Sequence, residues 1–116
     1  MSNTPEDISR AIAGAASDKK AEDIVILRMA ELTTAADYFI VCSANTATQV
    51  RAIADNIEDE LEKLGKSYLH KEGYREGEWV LLDYGDCVAH VFMTESRAFY
   101  ALERLWSDAP LTHYED

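Results

Sequence analysis

The sequence predicts an α/β protein, a two-layer sandwich with helices against a mixed sheet of about five strands. Stretches with apolar residues at helical spacing alternate with short β-branched or aromatic runs, in the order α-β-β-α-β-β-β-α. Gly85-Asp86 separates the apolar runs Trp79–Leu82 and Cys87–Met93, and that pair marks a tight hairpin. The 116 residues, 47% of them hydrophobic, suffice for one ordinary core and one domain, 1–116. The folded part is expected over 4–106, followed by a loose acidic tail, 107–116.

The elements follow in chain order. Thr4 is placed to cap a first helix, with Pro5 at its first position and Glu6 and Asp7 at the positive end of the dipole. Ile8, Ala11, Ile12, Ala15 and Ala16 share one face, and the helix should end near Asp18. Asp23–Met29 and Asp37–Ser43 read as strands, and the nearly unbroken apolar run of the second suits a central position covered on both faces. Thr46, followed three residues later by Gln49, opens the clearest helix. Its apolar stripe is Val50, Ile53, Ala54, Ile57, Leu61 and Leu64, and Gly65 ends it. A short strand is expected over Ser67–Lys71, then a polar, mobile loop over Glu72–Glu78. After the hairpin, Thr94 is expected to cap a last helix packed through Phe99, Leu102, Leu105 and Trp106.

A two-residue turn at Gly85-Asp86 pairs Tyr84 with Cys87, Asp83 with Val88 and Trp79 with Phe92. Because side chains alternate along a strand, one hairpin face carries Val80, Leu82, Tyr84, Cys87, Ala89 and Val91, which reads as core. The other carries Trp79, Leu81, Asp83, Val88, His90 and Phe92. That mixed face is either core under a helix or a surface that meets a partner. Asp83 and His90 favour the partner, since both are costly in a dry core.

Asp and Glu number 22 against 11 Lys and Arg, a formal net charge of −11. Phosphate-dominated nucleic-acid binding draws on Lys and Arg, so this balance argues against direct binding of RNA or DNA and suits a basic protein partner. No apolar run reaches the roughly 20 residues of a membrane span, and no basic stretch leads into an apolar core near the start. The expected location is cytoplasmic. Cys42 and Cys87 lie in apolar strand-like runs and read as reduced, buried thiols. His70, His90 and His113 lack the short spacings of metal ligands, and no phosphate loop or nucleophile elbow appears. Cys87 and His90 lie three apart on one strand and so point to opposite faces. No metal or other cofactor and no catalytic residue is expected. Asp37, Asp83 and Asp86 remain the carboxylates that a magnesium-dependent enzyme would use.

The run ADYFIVCSANTATQVRAIADNIEDEL and the run WVLLDYGDCVAHVFMTESRAFYALERLW together resemble the ribosomal silencing factor, or Iojap-related, family over roughly Asp23–Trp106. Its most specific parts are Trp79, Asp83, Gly85, Asp86 and His90, and the Glu95–Trp106 run. The resemblance implies a nucleotidyltransferase-like fold without catalysis, and a homodimer when free. It implies binding to the large ribosomal subunit through the basic ribosomal protein number fourteen, which blocks joining of the small subunit and lowers translation. The expected contact residues are Trp79, Leu81, Asp83, Tyr84, His90 and Phe92. Lys63, Lys66, Lys71 and Arg75 would form a local basic cluster if they converged. The rival readings are a small metal-dependent nucleotidyltransferase-like enzyme and a dimeric scaffold for another partner.

Overall fold

The computed structural model describes residues 4–115. The elements are α1 (Pro5–Asp18), β1 (Glu22–Arg28), β2 (Tyr38–Ala44), α2 (Ala47–Lys63), β3 (His70–Glu72), β4 (Trp79–Asp83), β5 (Cys87–Met93), α3 (Thr94–Tyr100), α4 (Leu102–Leu105) and β6 (Leu111–His113). The strands form one sheet in the order β3-β4-β5-β2-β1-β6. Among the described residues only the β2–β5 pair is parallel, so the sheet is mixed as expected.

Both long helices start as the sequence indicates. The Thr4 hydroxyl accepts the Asp7 N–H, and the Asp7 carboxylate accepts the Thr4 N–H in return, which closes a capping box. At α2 the Thr46 hydroxyl accepts the Gln49 N–H, but the Gln49 side chain reaches the Lys19 carbonyl instead of its own cap. α2 ends with Gly65 and Lys66 donating to Glu62 and Leu61. α1 and α2 lie on the same side of the sheet. Their buried residues enclose Ile24, Ile26, Ile40, Cys42, Val80, Leu82, Cys87, Ala89 and Val91 in the main core. The core face expected of the hairpin is therefore the face under these helices.

The chain after β5 differs from expectation. A sixth strand, β6, pairs with β1 through Val25–His113, Ile26–Thr112 and Leu27–Leu111, so the expected loose tail is partly sheet. The open edge of β1 offers unpaired N–H and C=O groups, which the acidic composition of the tail did not reveal. The last helix is broken at Ala101, which has φ 46° and ψ 48°. That left-handed residue turns the following four residues out of phase, so the expected stripe does not form. Leu102 is buried, whereas Phe99 is 81% and Leu105 73% exposed. Thr94 is not a cap either. α3 follows β5 without a connection, so the cap position falls on Met93, and the Thr94 hydroxyl donates to Asn45 Oδ1 at 3.1 Å. Finally, the Glu72–Glu78 loop is tied to α2 by Arg51 to the Arg75 carbonyl and Tyr74 to Asp55.

Candidate partner interface

The hairpin has the register that a two-residue turn dictates, with Trp79 opposite Phe92 and Asp83 opposite Val88. Gly85 has φ 91°, which a glycine tolerates without strain, and the Tyr84 N–H donates to Cys87 O at 2.8 Å. The turn carboxylate is Asp83, whose Oδ1 accepts the Gly85 N–H at 2.7 Å. Asp86 contributes its backbone instead. Its carbonyl accepts the N–H groups of Asp37 and Tyr38 and so fixes the start of β2.

On the sheet face away from α1 and α2, a smaller core joins Val25, Leu27, Met29, Val41 and Phe92 to Leu102 and Ala109, with Phe39, Trp79 and Trp106 packed at its margin. This cover lies over β1, β2 and β5. Farther along, Trp79, Leu81 and Asp83 of β4 are half-buried, and the β3 neighbours of Leu81 and Asp83, Glu72 and His70, are exposed. Cross-strand partners share a face, so Glu72 sits beside Leu81 and His70 beside Asp83. The open part of the face is thus aliphatic and aromatic, with two carboxylates, of which Glu72 is 2.6 Å from the His70 Nε2.

The expected contact residues divide accordingly. Trp79, Leu81 and Asp83 lie on the open part, and Tyr84 is half-buried on the opposite face. His90 and Phe92 share the face of Trp79 but are 4% and 0% exposed. The mixed face is expected to be either core or surface. It is core over β5 and surface over β4, because the segment after β5 covers only the nearer strands.

Trp79 joins the two parts. Its ring stacks on Phe92 at 4.8 Å and touches Tyr100 at 4.9 Å, and its Nε1–H donates to His90 Nδ1 at 3.1 Å. A tryptophan N–H only donates, so Nδ1 accepts and the imidazole proton sits on Nε2. That Nε2 has no hydrogen-bond partner, and burial pushes the imidazole pKa down to about 4. Cys87 points the other way, its thiol donating to the Pro5 carbonyl, so it does not meet His90. Burial raises the pKa of Cys42 and Cys87 to about 12, which makes both thiols inert.

The Lys-rich segment gives little free positive charge. Lys63 pairs with Glu60, and Lys71 pairs with Glu58 at 2.6 Å while lying 4.1 Å from the Tyr74 ring centre. Lys66 borders a small depression shared with Glu58 and Glu62. Among the described residues, no three His, Cys, Asp or Glu side chains are grouped to share a metal ion.

A family model described as "Ribosomal silencing factor during starvation" matches residues 2–116. The chain belongs to the ribosomal silencing factor family. It is 45% identical over 106 residues to the ribosomal silencing factor of Bacillus subtilis, covering 91% of this chain and 90% of that protein. It is 37% identical over 98 residues to the chloroplastic protein Iojap of Zea mays, covering 84% of this chain and 42% of that longer protein. A crystal structure of a Chromobacterium violaceum protein superimposes with a TM-score of 0.88 at 35% identity, over 90% of this chain and 87% of that one. A Bacillus halodurans structure gives 0.83 at 37% identity, over 94% and 99%.

Within this silencing-factor chain, sequence reasoning missed three participants at the site. Tyr100 and Phe39 frame Trp79 and His90, and Arg97 holds the cover in place. Arg97 Nε and Nη2 grip both Glu103 oxygens at 3.2 and 2.9 Å, and Nη1 reaches Ser43 Oγ at 3.0 Å. A six-residue separation is not a helical-neighbour spacing, so only the break at Ala101 brings this pair together.

Proposed function

We propose that this chain represses translation by occupying the large ribosomal subunit. It docks there on the basic ribosomal protein number fourteen and sterically excludes the small subunit, with no bond made or broken. The observation that carries this reading is the open sheet face over β3 and β4, where Trp79 and Leu81 stand beside Asp83 and Glu72 in a chain of net charge −11. Half-exposed aromatic and aliphatic groups supply an interface core, and carboxylates beside them suit a Lys- and Arg-rich partner. Family membership supports the ribosome as the target. The site of action is then the compartment that holds ribosomes, the cytoplasm.

The test is a sucrose-gradient profile with purified subunits. The protein should sediment with large subunits and not with small ones, and added in excess it should reduce the joined particle. Sedimentation at the top of the gradient with both subunits would sink the proposal. Incubation with nucleoside triphosphates and magnesium is expected to leave the nucleotides intact. Turnover lost in Asp83→Ala would favour an enzyme instead.

A further inference from the structure

His90 Nε2 is the one buried side-chain nitrogen or oxygen, among the described residues, without a hydrogen-bond partner. Leaving a buried donor unmet is unfavourable, and most proteins avoid it. Its surroundings offer no internal remedy. The ring lies edge-on to Phe39 at 4.7 Å, tilted to Trp79 at 5.9 Å and nearly parallel to Phe92 at 6.3 Å. Its other nitrogen is already taken by Trp79, which also fixes the proton on Nε2.

The segment that packs on the neighbours of this imidazole, Trp79 and Phe92, is weakly held. α3 buries none of its residues and α4 buries only Leu102, and the two meet at left-handed Ala101. Tyr100 leans on Trp79 and Phe92, while Phe99 next to it is largely in water. Elements with few buried apolar contacts open at low free energy. The side-chain anchor across the break is Arg97, through Glu103 and Ser43.

We propose that His90 is a specificity-determining residue of the partner interface, its Nε2–H reserved for a hydrogen-bond acceptor on the partner. The acceptor reaches it when the α3–α4 segment lifts and the Trp79–Tyr100 contact parts. This inference rests on the ribosome-binding reading above. The occupant is a segment of a basic protein that brings an apolar side chain to the Trp79–Phe92 stack and a backbone carbonyl to His90. Asp83 and Glu72, on the adjoining open face, select the basic flanks of that segment. A nucleic-acid phosphate is disfavoured as the acceptor because the same carboxylates repel it.

His90→Phe keeps a ring of similar size and removes the donor. His90→Gln keeps an N–H at comparable reach. Both are compared with wild type by thermal melting and by affinity for purified large subunits. The His90→Phe protein should melt within a few degrees of wild type, because the unmet Nε2–H it removes offsets the acceptor it takes from the half-buried Trp79 Nε1–H. Its affinity should nevertheless fall by about tenfold or more, the scale expected when one partner acceptor is left unpaired. His90→Gln should keep most of the affinity. Nitrogen NMR of the free wild type should report the Nε2–H tautomer. Equal affinity of His90→Phe and wild type overturns the inference, as does a loss that only tracks the folded fraction of both variants. Failure of wild type itself to bind large subunits overturns the ribosome reading, and the inference with it.

Discussion

The Asp83 carboxylate accepts the Gly85 N–H, so a substitution there changes the turn as well as the surface charge. Asp83→Asn keeps an acceptor and removes the charge. It should melt almost as wild type yet bind large subunits more weakly, most clearly at low salt, where screening is least. Asp83→Lys loses both and should cost about 1 kcal/mol of stability in addition. Equal binding by the Asn variant at every ionic strength would remove Asp83 from the interface. Gly73 has a different task. With φ 78°, a Cβ built there would stand 1.9 Å from the Trp79 carbonyl oxygen. Gly73→Ala therefore has to displace the start of β4, at about 1–3 kcal/mol or more, and it moves the anchor of the open face as well. Chemical denaturation of that variant measures the cost. His90 makes stability depend on pH in a stated window. Unfolded, its imidazole takes up a proton near the ordinary 6.5; folded, burial delays this to about 4. Between those values the unfolded chain holds the extra proton, so acidification favours unfolding, by at most about 3 kcal/mol at the low end. Above 6.5 the group has no effect. Urea unfolding of wild type and His90→Phe at pH 7 and pH 4.5 should show the variant losing less stability across that window. Equal losses would mean the ring is protonated without penalty.

At the scale of elements, the α3–α4 segment is the most local unit of the fold, and Arg97 is its staple. Arg97→Ala removes charge-assisted bonds worth about 2 kcal/mol and leaves the helical side of the sheet untouched. Hydrogen exchange should quicken over residues 94–106 while β2 and β5 keep their protection. Uniform acceleration across the sheet would instead make the segment part of the global fold. This segment is also where the sequence was least legible. Short-range signals predicted α1, α2, the hairpin register and the central place of β2, because caps, stripe spacing and a Gly-Asp turn act within a few residues. The break at Ala101 carries no such mark. An alanine adopts the left-handed conformation there without glycine or asparagine to announce it, and Arg97 meets Glu103 only after the break. The sixth strand was hidden for a related reason. Leu111–His113 has no period of its own and is ordered by the free edge of β1. On the hairpin, alternation along β5 correctly put His90 and Phe92 on the face of Trp79. Their burial depended on how far the cover reaches, which is a property of the tertiary fold.

At the scale of the whole molecule, the proposed ribosome contact and an expected self-association draw on neighbouring surfaces. Phe99, Tyr100 and Leu105 stand exposed at 81%, 49% and 73%, with Tyr100 against the half-buried Trp79. Large exposed apolar groups on a small chain favour association, here proposed with a second copy when no ribosome is bound. A second copy related by a two-fold axis would present the identical surface and so cover the exposed groups of both copies at once. The net charge of −11 on each copy opposes that pairing at long range, so the association should strengthen with added salt as repulsion is screened. Binding to a basic protein should weaken with salt, for the opposite reason. Light scattering at micromolar concentration is therefore expected to give about twice the 13.0 kDa chain mass, and more fully so at higher ionic strength. If both partners use the surface around Trp79, large subunits compete with the second copy. Phe99→Glu should then leave a monomer that folds normally, since Phe99 contributes little to the core. That monomer should bind large subunits at least as well as wild type, because it no longer has to dissociate first. A monomeric variant with lost ribosome binding would place Phe99 inside the ribosomal contact, and an unaltered dimer would put the self-association surface elsewhere on the molecule.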